Sequence, residues 1–200
     1  MTETTFRLAS TAFHEGGEIP TRFTCDDEDV SPDLTWEGAP PDTGALALIV
    51  DDPDANGWVH WVVFDMTGTS SGGLGEGIAT SPDAPPQGTN SFGRLGWGGP
   101  CPPSGEHRYV FRLLALDGPL GLTGAPRAAE VLAAAEGHVV GEARLNGRYR
   151  RRGRYAGSRP DVRTSSSHGR SRPTVVAAPW PGSTRIGSSR PLRRTSDSTI

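Results

Sequence analysis

Two apolar runs held apart by a short acidic turn constrain this chain more than any other feature. Leu46-Ala47-Leu48-Ile49-Val50 is too short for a helix of ordinary length and reads as a buried strand. Trp58-Val59-His60-Trp61-Val62-Val63-Phe64 is aromatic and β-branched, which suits a second strand. Between them lies Asp51-Asp52-Pro53-Asp54-Ala55-Asn56-Gly57, whose Asp, Pro, Asn and Gly residues are turn formers. The first strand therefore delivers Asp52 to a loop, and the second brings His60 back beside it. A further strand is expected over His107–Asp117. There His107, Tyr109, Phe111 and Leu113 share one face, and Arg108, Val110, Arg112 and Leu114 the other.

The rest of the chain is punctuated too often for long helices. Gly (27) and Pro (18) favour short strands joined by turns, so the expected class is mainly β. Extended pieces are predicted over Phe6–Phe13, Ile19–Thr24, around Leu34-Thr35-Trp36 and over His138–Tyr149. One helix is expected over Arg127–Glu136, with Pro126 in its first turn and Gly137 as its stop. Residues 67–89 are rich in Gly, Ser and Pro and are expected to hold neither a helix nor a central strand. After Arg152 apolar periodicity stops. The division is a folded domain over 1–152 and a tail over 153–200, which is too polar to offset its ordering entropy and is expected to be disordered.

Charge follows the same division. Residues 1–152 carry 11 Arg and 21 Asp plus Glu, a formal −10; residues 153–200 carry 9 Arg and 2 Asp, a formal +7; together they give −3. Every basic residue is Arg. An acidic body excludes a phosphate-tracking surface for nucleic acid. The start of the chain shows no basic-then-apolar leader, and no apolar run is long enough to span a bilayer, so a cytoplasmic protein without stable membrane insertion is expected. Asp26-Asp27-Glu28-Asp29 lacks the spacing of a calcium loop and reads as a solvated turn. Cys25 and Cys101 lack zinc-site spacing and read as two partly buried thiols rather than a bridge.

The chemistry-bearing residues are Asp52, Asp54, His60, His107 and the segment Gly98–Pro103. A Gly-rich turn lets backbone N–H groups converge on an anion. Two imidazoles add donors and, when protonated, charge. An aspartate beside an imidazole fixes its tautomer or favours its protonated form. Together they suit a phosphate or carboxylate group. Each also has a plainer reading: His60 as a satisfied core histidine, Asp52-Pro53-Asp54 as a turn, Gly98-Gly99-Pro100 as a loop, and Arg108 as a structural ion-pair partner.

Four separated motifs, in this order, resemble the phosphatidylethanolamine-binding protein family, and most closely its bacterial Raf kinase inhibitor-like branch. They are Asp51-Asp52-Pro53-Asp54-Ala55, Trp58-Val59-His60-Trp61-Val62-Val63, Gly98-Gly99-Pro100-Cys101-Pro102-Pro103 and His107-Arg108-Tyr109-Val110-Phe111. Thr24-Cys25-Asp26, Ser31-Pro32, Leu34, Trp36, Gly38-Ala39-Pro40, Asn90, Phe92 and Gly93 extend the resemblance across roughly residues 6–150. It implies an antiparallel β-sandwich with a small peripheral helix and an anion pocket at one end. It places Asp52, Asp54, His60, Gly99, Cys101, Pro102, His107 and Tyr109 at that pocket. Two departures stand out. Asn56 replaces a frequent proline, which is expected to loosen the turn, and Asp33 follows Pro32 where a second proline is common. Residues 153–200 have no counterpart; a frameshifted end and a genuine basic tail are the two readings.

The function expected is non-enzymatic binding of a small anionic or phosphorylated group, with no cofactor, in a regulatory protein whose partner is a kinase or protease. The alternative is a hydrolase using Asp52, His60 and His107 for acid–base chemistry or metal binding. A lipid carrier would take a headgroup at most. A homodimer stays open, since no stretch announces one.

Overall fold

The structure, a computed structural model, describes residues 5–151. The expected tail over 153–200 lies outside the described residues.

Among the described residues, eight strands and one α-helix build three layers. The strands are β1 (Arg7–Ala9), β2 (Gly17–Glu18), β3 (Leu34–Glu37), β4 (Ala45–Asp52), β5 (Trp58–Thr67), β6 (Ser71–Leu74), β7 (Glu106–Leu116) and β8 (Val139–Arg150); the helix α1 spans Ala128–Ala135. The smaller sheet has the order β1-β3-β6, the larger β2-β8-β7-β4-β5. The main core lies between them, with Leu8, Leu34, Trp36 and Leu74 on one side and Leu48, Val50, Trp61, Val63, Phe111 and Leu145 on the other. A second apolar cluster covers the opposite face of the larger sheet, where Ala47, Ile49, Val62, Phe64 and Leu114 meet Ala128, Val131 and Ala135 of α1. Both faces of β4 are therefore buried along much of its length, which is why Leu46–Val50 is an unbroken apolar run rather than an alternating one.

The mainly β class and the small helix stand. The sheets, however, are not strictly antiparallel: β2 runs parallel to β8, pairing Gly17 with Gly147 and Glu18 with Arg148. Three local expectations are corrected. Only Arg7–Ala9 of the first predicted strand pairs, and Thr21–Phe23 forms a 3-10 turn instead of an extended piece. Pro126 lies before the N-cap Arg127, outside the first turn, and the Glu130 carboxylate accepts the Arg127 N–H instead. The segment 67–89 holds no central strand, as expected, but it does hold an edge strand, β6, beside β3. Its glycines explain this: a Cβ on Gly72 would meet the Trp36 ring at 2.6 Å, and one on Gly73 the Leu34 carbonyl at 2.8 Å. Glycine here permits close sheet contact, against its usual low strand preference.

The two cysteines form a bridge, Cys25–Cys101, overturning the two-thiol expectation. They lie 76 positions apart, and no local pattern announces the pairing; the fold brings their Cα atoms to 5.5 Å, well within bridging range. The acidic cluster is not simply solvated either. Asp26 accepts the Tyr149 hydroxyl and the Arg151 guanidinium, and Asp29 accepts the Gly99 N–H and pairs with Arg94. No helix among the described residues is long and apolar enough to cross a membrane.

Candidate functional site

The site begins with a defect in strand pairing. Along β4 and β5, Val50 faces Trp61 but Asp51 faces Val59, so His60 is an extra residue, a bulge. In a regular strand His60 and Trp61 would point to opposite faces. Here both point inward: the His60 ring lies 6.4 Å from Trp97 and 5.1 Å edge-on from Tyr109, while Trp61 lies 5.9 Å from the same Trp97. The bulge thus adds an imidazole to the core face without removing a core tryptophan.

Asp52 closes β4 and caps the 3-10 turn Pro53–Ala55. Its Oδ1 accepts the N–H groups of Asp54 at 2.9 Å and Ala55 at 3.1 Å. Its Oδ2 accepts Nδ1–H of His107 at 2.7 Å, so both oxygens are occupied and the His107 tautomer is set. The turn closes through Asn56 and Gly57, both with positive φ (55° and 73°), and Gly57 N–H donates to the Asp52 carbonyl. Asn56 suits this conformation: proline cannot reach this φ, whereas asparagine tolerates it. Asp33, the other departure, accepts the Ser10 hydroxyl and the Thr11 N–H and so anchors the segment after β1.

The loop Trp97–Pro103 forms the facing wall. Gly98 and His60 bond reciprocally: Gly98 N–H donates to the His60 carbonyl, and His60 Nδ1–H donates to the Gly98 carbonyl at 2.5 Å. Gly99 has its amide committed to Asp29 at 2.6 Å, and a Cβ there would meet the Phe23 carbonyl at 2.4 Å. Trp97 Nε1–H donates to the Phe23 carbonyl, Cys25 N–H donates to Pro100, and the Cys25–Cys101 bridge ties the same two segments. Asn90, buried, accepts the N–H groups of Phe92 and Arg94 and so shapes the turn that presents the Phe92 ring.

These elements enclose a cleft of about 330 Å³ lined by Asp52, Ala55, Trp58, His60, Phe92, Cys101, Pro102, Pro103, His107 and Tyr109. Its base is polar and its mouth aromatic: Trp58 (42% exposed) and Phe92 (43%) meet edge-to-face at 5.5 Å. A larger hollow of about 720 Å³, lined by Arg7, Glu15, Trp36 and Arg144 among others, lies elsewhere and contains none of these groups. Six of the eight residues singled out in the sequence line the cleft. The other two do not: Gly99 has its amide engaged, and Asp54 turns away to make a forked pair with Arg108. Trp58 and Ala55 were not singled out as site residues. Trp58 faces Asp52 in the register, so the pairing of the two strands was the signal that could have found it.

The electrostatics follow from burial. Burial pushes the His60 pKa below that of ordinary histidine, against the opposing effects of the Gly98 carbonyl and of the Asp52 and Asp29 carboxylates. Burial likewise raises the Tyr109 hydroxyl, which has no hydrogen-bond partner of good geometry although the Cys101 backbone lies close by. Hydrogen bonds from Arg108 hold Asp54 down to about 2. Among the described residues, no cluster of three or more His, Cys, Asp or Glu side chains has the arrangement of a metal site.

The sequence pattern of the phosphatidylethanolamine-binding protein family matches residues 9–150. The chain belongs to the phosphatidylethanolamine-binding protein family. A UPF0098 protein of Methanothermobacter thermautotrophicus is 51% identical over 149 residues, covering 72% of this chain and 98% of that one. A UPF0098 protein of Aquifex aeolicus is 40% identical over 152 residues, covering 71% and 86%. Among solved structures, a phosphatidylethanolamine-binding protein homolog from Chlamydia trachomatis, CT736, has a TM-score of 0.69 at 34% identity, covering 74% of this chain and 99% of its own. YbcL of Escherichia coli, described as a member of the mammalian family, has a TM-score of 0.68 at 29% identity, with the same coverage. The phosphatidylethanolamine-binding protein domain thus spans nearly all of the described residues, cleft included.

Proposed function

We propose that this protein is a non-enzymatic binder of a phosphate-like anionic group, held at the base of the cleft by His60, His107 and Tyr109. The observation that carries this reading is convergence. Two imidazoles, each anchored through Nδ1, have Nε2 left for the cleft, beside a fully buried hydroxyl that lacks a well-placed partner. Buried polar groups left open are costly in a merely structural role and useful in a binding one. Binding is favoured over hydrolysis because the groups needed for hydrolysis are occupied. Asp52 has both oxygens engaged, and the Cys101 sulfur is bonded to Cys25. Trp58 and Phe92, exposed at the mouth, offer an apolar rim to a protein partner. With the resemblance to the Raf kinase inhibitor-like branch, this supports a regulatory protein acting on a kinase or protease.

Isothermal titration with inorganic phosphate and with phosphoethanolamine tests the reading. Saturable binding that is lost in both His60→Ala and His107→Ala, with folding retained by circular dichroism, supports it. Binding unchanged in both variants would place the anion elsewhere.

A further inference from the structure

The donors around the cleft can be counted. His60 gives its Nδ1–H to the Gly98 carbonyl, and His107 gives its own to Asp52. The Gly98 amide goes to the His60 carbonyl and the Gly99 amide to Asp29, while Pro102 and Pro103 have none to give. No arginine lines the cleft. What remains at the base is the Tyr109 hydroxyl, with the Cys101 backbone beside it, and at the mouth the indole N–H of Trp58. A neutral imidazole whose Nδ1 carries the proton presents a lone pair at Nε2. A fully deprotonated oxyanion would therefore meet a lone pair at His60 where it needs a donor, and one proton placed between ligand and that ring removes the conflict there.

We propose that the cleft selects phosphate monoesters over phosphodiesters and sulfate, by holding one proton between a phosphate oxygen and Nε2 of His60. This rests on the anion-binding reading above. The second proton of a phosphate monoester has a pKa of about 6, close to the value of about 6.5 for histidine, so the proton is shared between matched sites. A diester monoanion and sulfate carry no proton near neutral pH and would have to force it wholly onto the ring. The ring resists: it is 3% exposed. The charged and titratable groups around it are Asp51 and Asp52 of β4, Asp29 of the loop before β3, and His107 and Tyr109 of β7. Of these, the Asp52 carboxylate is already bonded to His107 and that of Asp29 to the Gly99 amide. Above the pKa of the ester, the step is uptake of one solvent proton per ligand bound, with no covalent change.

The same chemistry separates two sources of a phosphoethanolamine group. Free phosphoethanolamine is a monoester; the headgroup of phosphatidylethanolamine is a diester.

The test is isothermal titration of the full chain with phosphoethanolamine, glycerophosphoethanolamine and sulfate, from pH 5.5 to pH 8.5, in buffers of different ionisation enthalpy. At pH 8, phosphoethanolamine should bind with uptake of about one proton, and its affinity should fall about tenfold per pH unit above pH 7. Glycerophosphoethanolamine and sulfate should bind at least about tenfold more weakly at pH 8, a gap of one hydrogen-bonded proton. His60→Asn, whose side chain does not titrate, should abolish the uptake and bring the three ligands within about threefold of one another. Phosphoethanolamine binding with no proton uptake, or sulfate binding equally well at pH 8, overturns the proposal and leaves the anion reading standing. A diester preference would overturn it in favour of the lipid headgroup. No binding of any ligand at any pH overturns both readings.

Discussion

Two carboxylates separated by one proline do opposite things in this fold. Asp52 points inward and holds His107 at 2.7 Å, with its side chain 4% exposed. Asp54 points outward and is gripped by the backbone N–H, Nε and Nη2 of Arg108, with its side chain 32% exposed. The partners alternate as well, because His107 and Arg108 are neighbours on β7 and face opposite sides of the sheet. Both acids belong to one sequence motif and look equivalent there. Their surroundings assign one to the cleft and the other to the surface, where an ion pair adds little.

This contrast can be broken by mutation. The largest effect is expected for Asp52→Ala, which removes the cap of two amides and the only carboxylate partner of His107 among the described residues. Loss of stability by about 2–4 kcal/mol in urea denaturation is expected; a loss below about 0.5 kcal/mol would show that Asp52 is no more structural than Asp54. Replacing both bridge cysteines with serine should cost a similar or slightly smaller amount, about 2–3 kcal/mol, because the bridge closes a long loop. It should also weaken anion binding, since Cys101 lines the cleft. Affinity unchanged without the bridge would mean that the Trp97–Pro103 loop is held well enough by its hydrogen bonds alone.

Smaller effects separate the cleft from the surface pair by pH. His60 resists protonation when folded and accepts it readily when unfolded, so its contribution to stability is complete above pH 6.5 or so and is lost as pH falls below that. A stability profile that drops as pH falls below about 6.5, and is flattened there in His60→Gln, is expected from denaturation midpoints. Asp54 works in a lower window. Its stabilisation is present above the ordinary carboxylate value of 3.8 and is lost as pH falls towards about 2. Asp54→Ala should erase that acid limb and move the melting temperature at pH 7 by only about 1–2 °C. A larger shift would place Asp54 among the groups that hold the cleft together.

Much of this arrangement was legible in the sequence. The strands β4, β5, β7 and β8 announce themselves through apolar runs and alternation, and the motif residues Asp52, His60, His107 and Tyr109 line one cleft. What escaped depends on distant contacts. The bridge joins residues whose only signal is their final proximity. The strand β6 is built on glycines that matter because of the Trp36 ring lying opposite. The inward turn of His60 comes from a bulge set by the pairing of Val50 and Asp51 with Trp61 and Val59, which periodicity along one strand cannot reveal. Gly99 was read as an anion contact through its backbone, and only the fold shows Asp29 taking that amide.

The central claim is that an anion sits between the two Nε2 atoms, and one measurement addresses it directly. In nitrogen-15 NMR of the histidine rings, the Nδ1 and Nε2 signals of all five histidines can be followed while phosphate is added at pH 6.5. Saturable shifts confined to the Nε2 signals of His60 and His107, with their Nδ1 signals and the other rings unmoved, are predicted. If phosphate saturates the protein while both Nε2 signals stay in place, or moves only His14 or His138, the cleft is not the anion site.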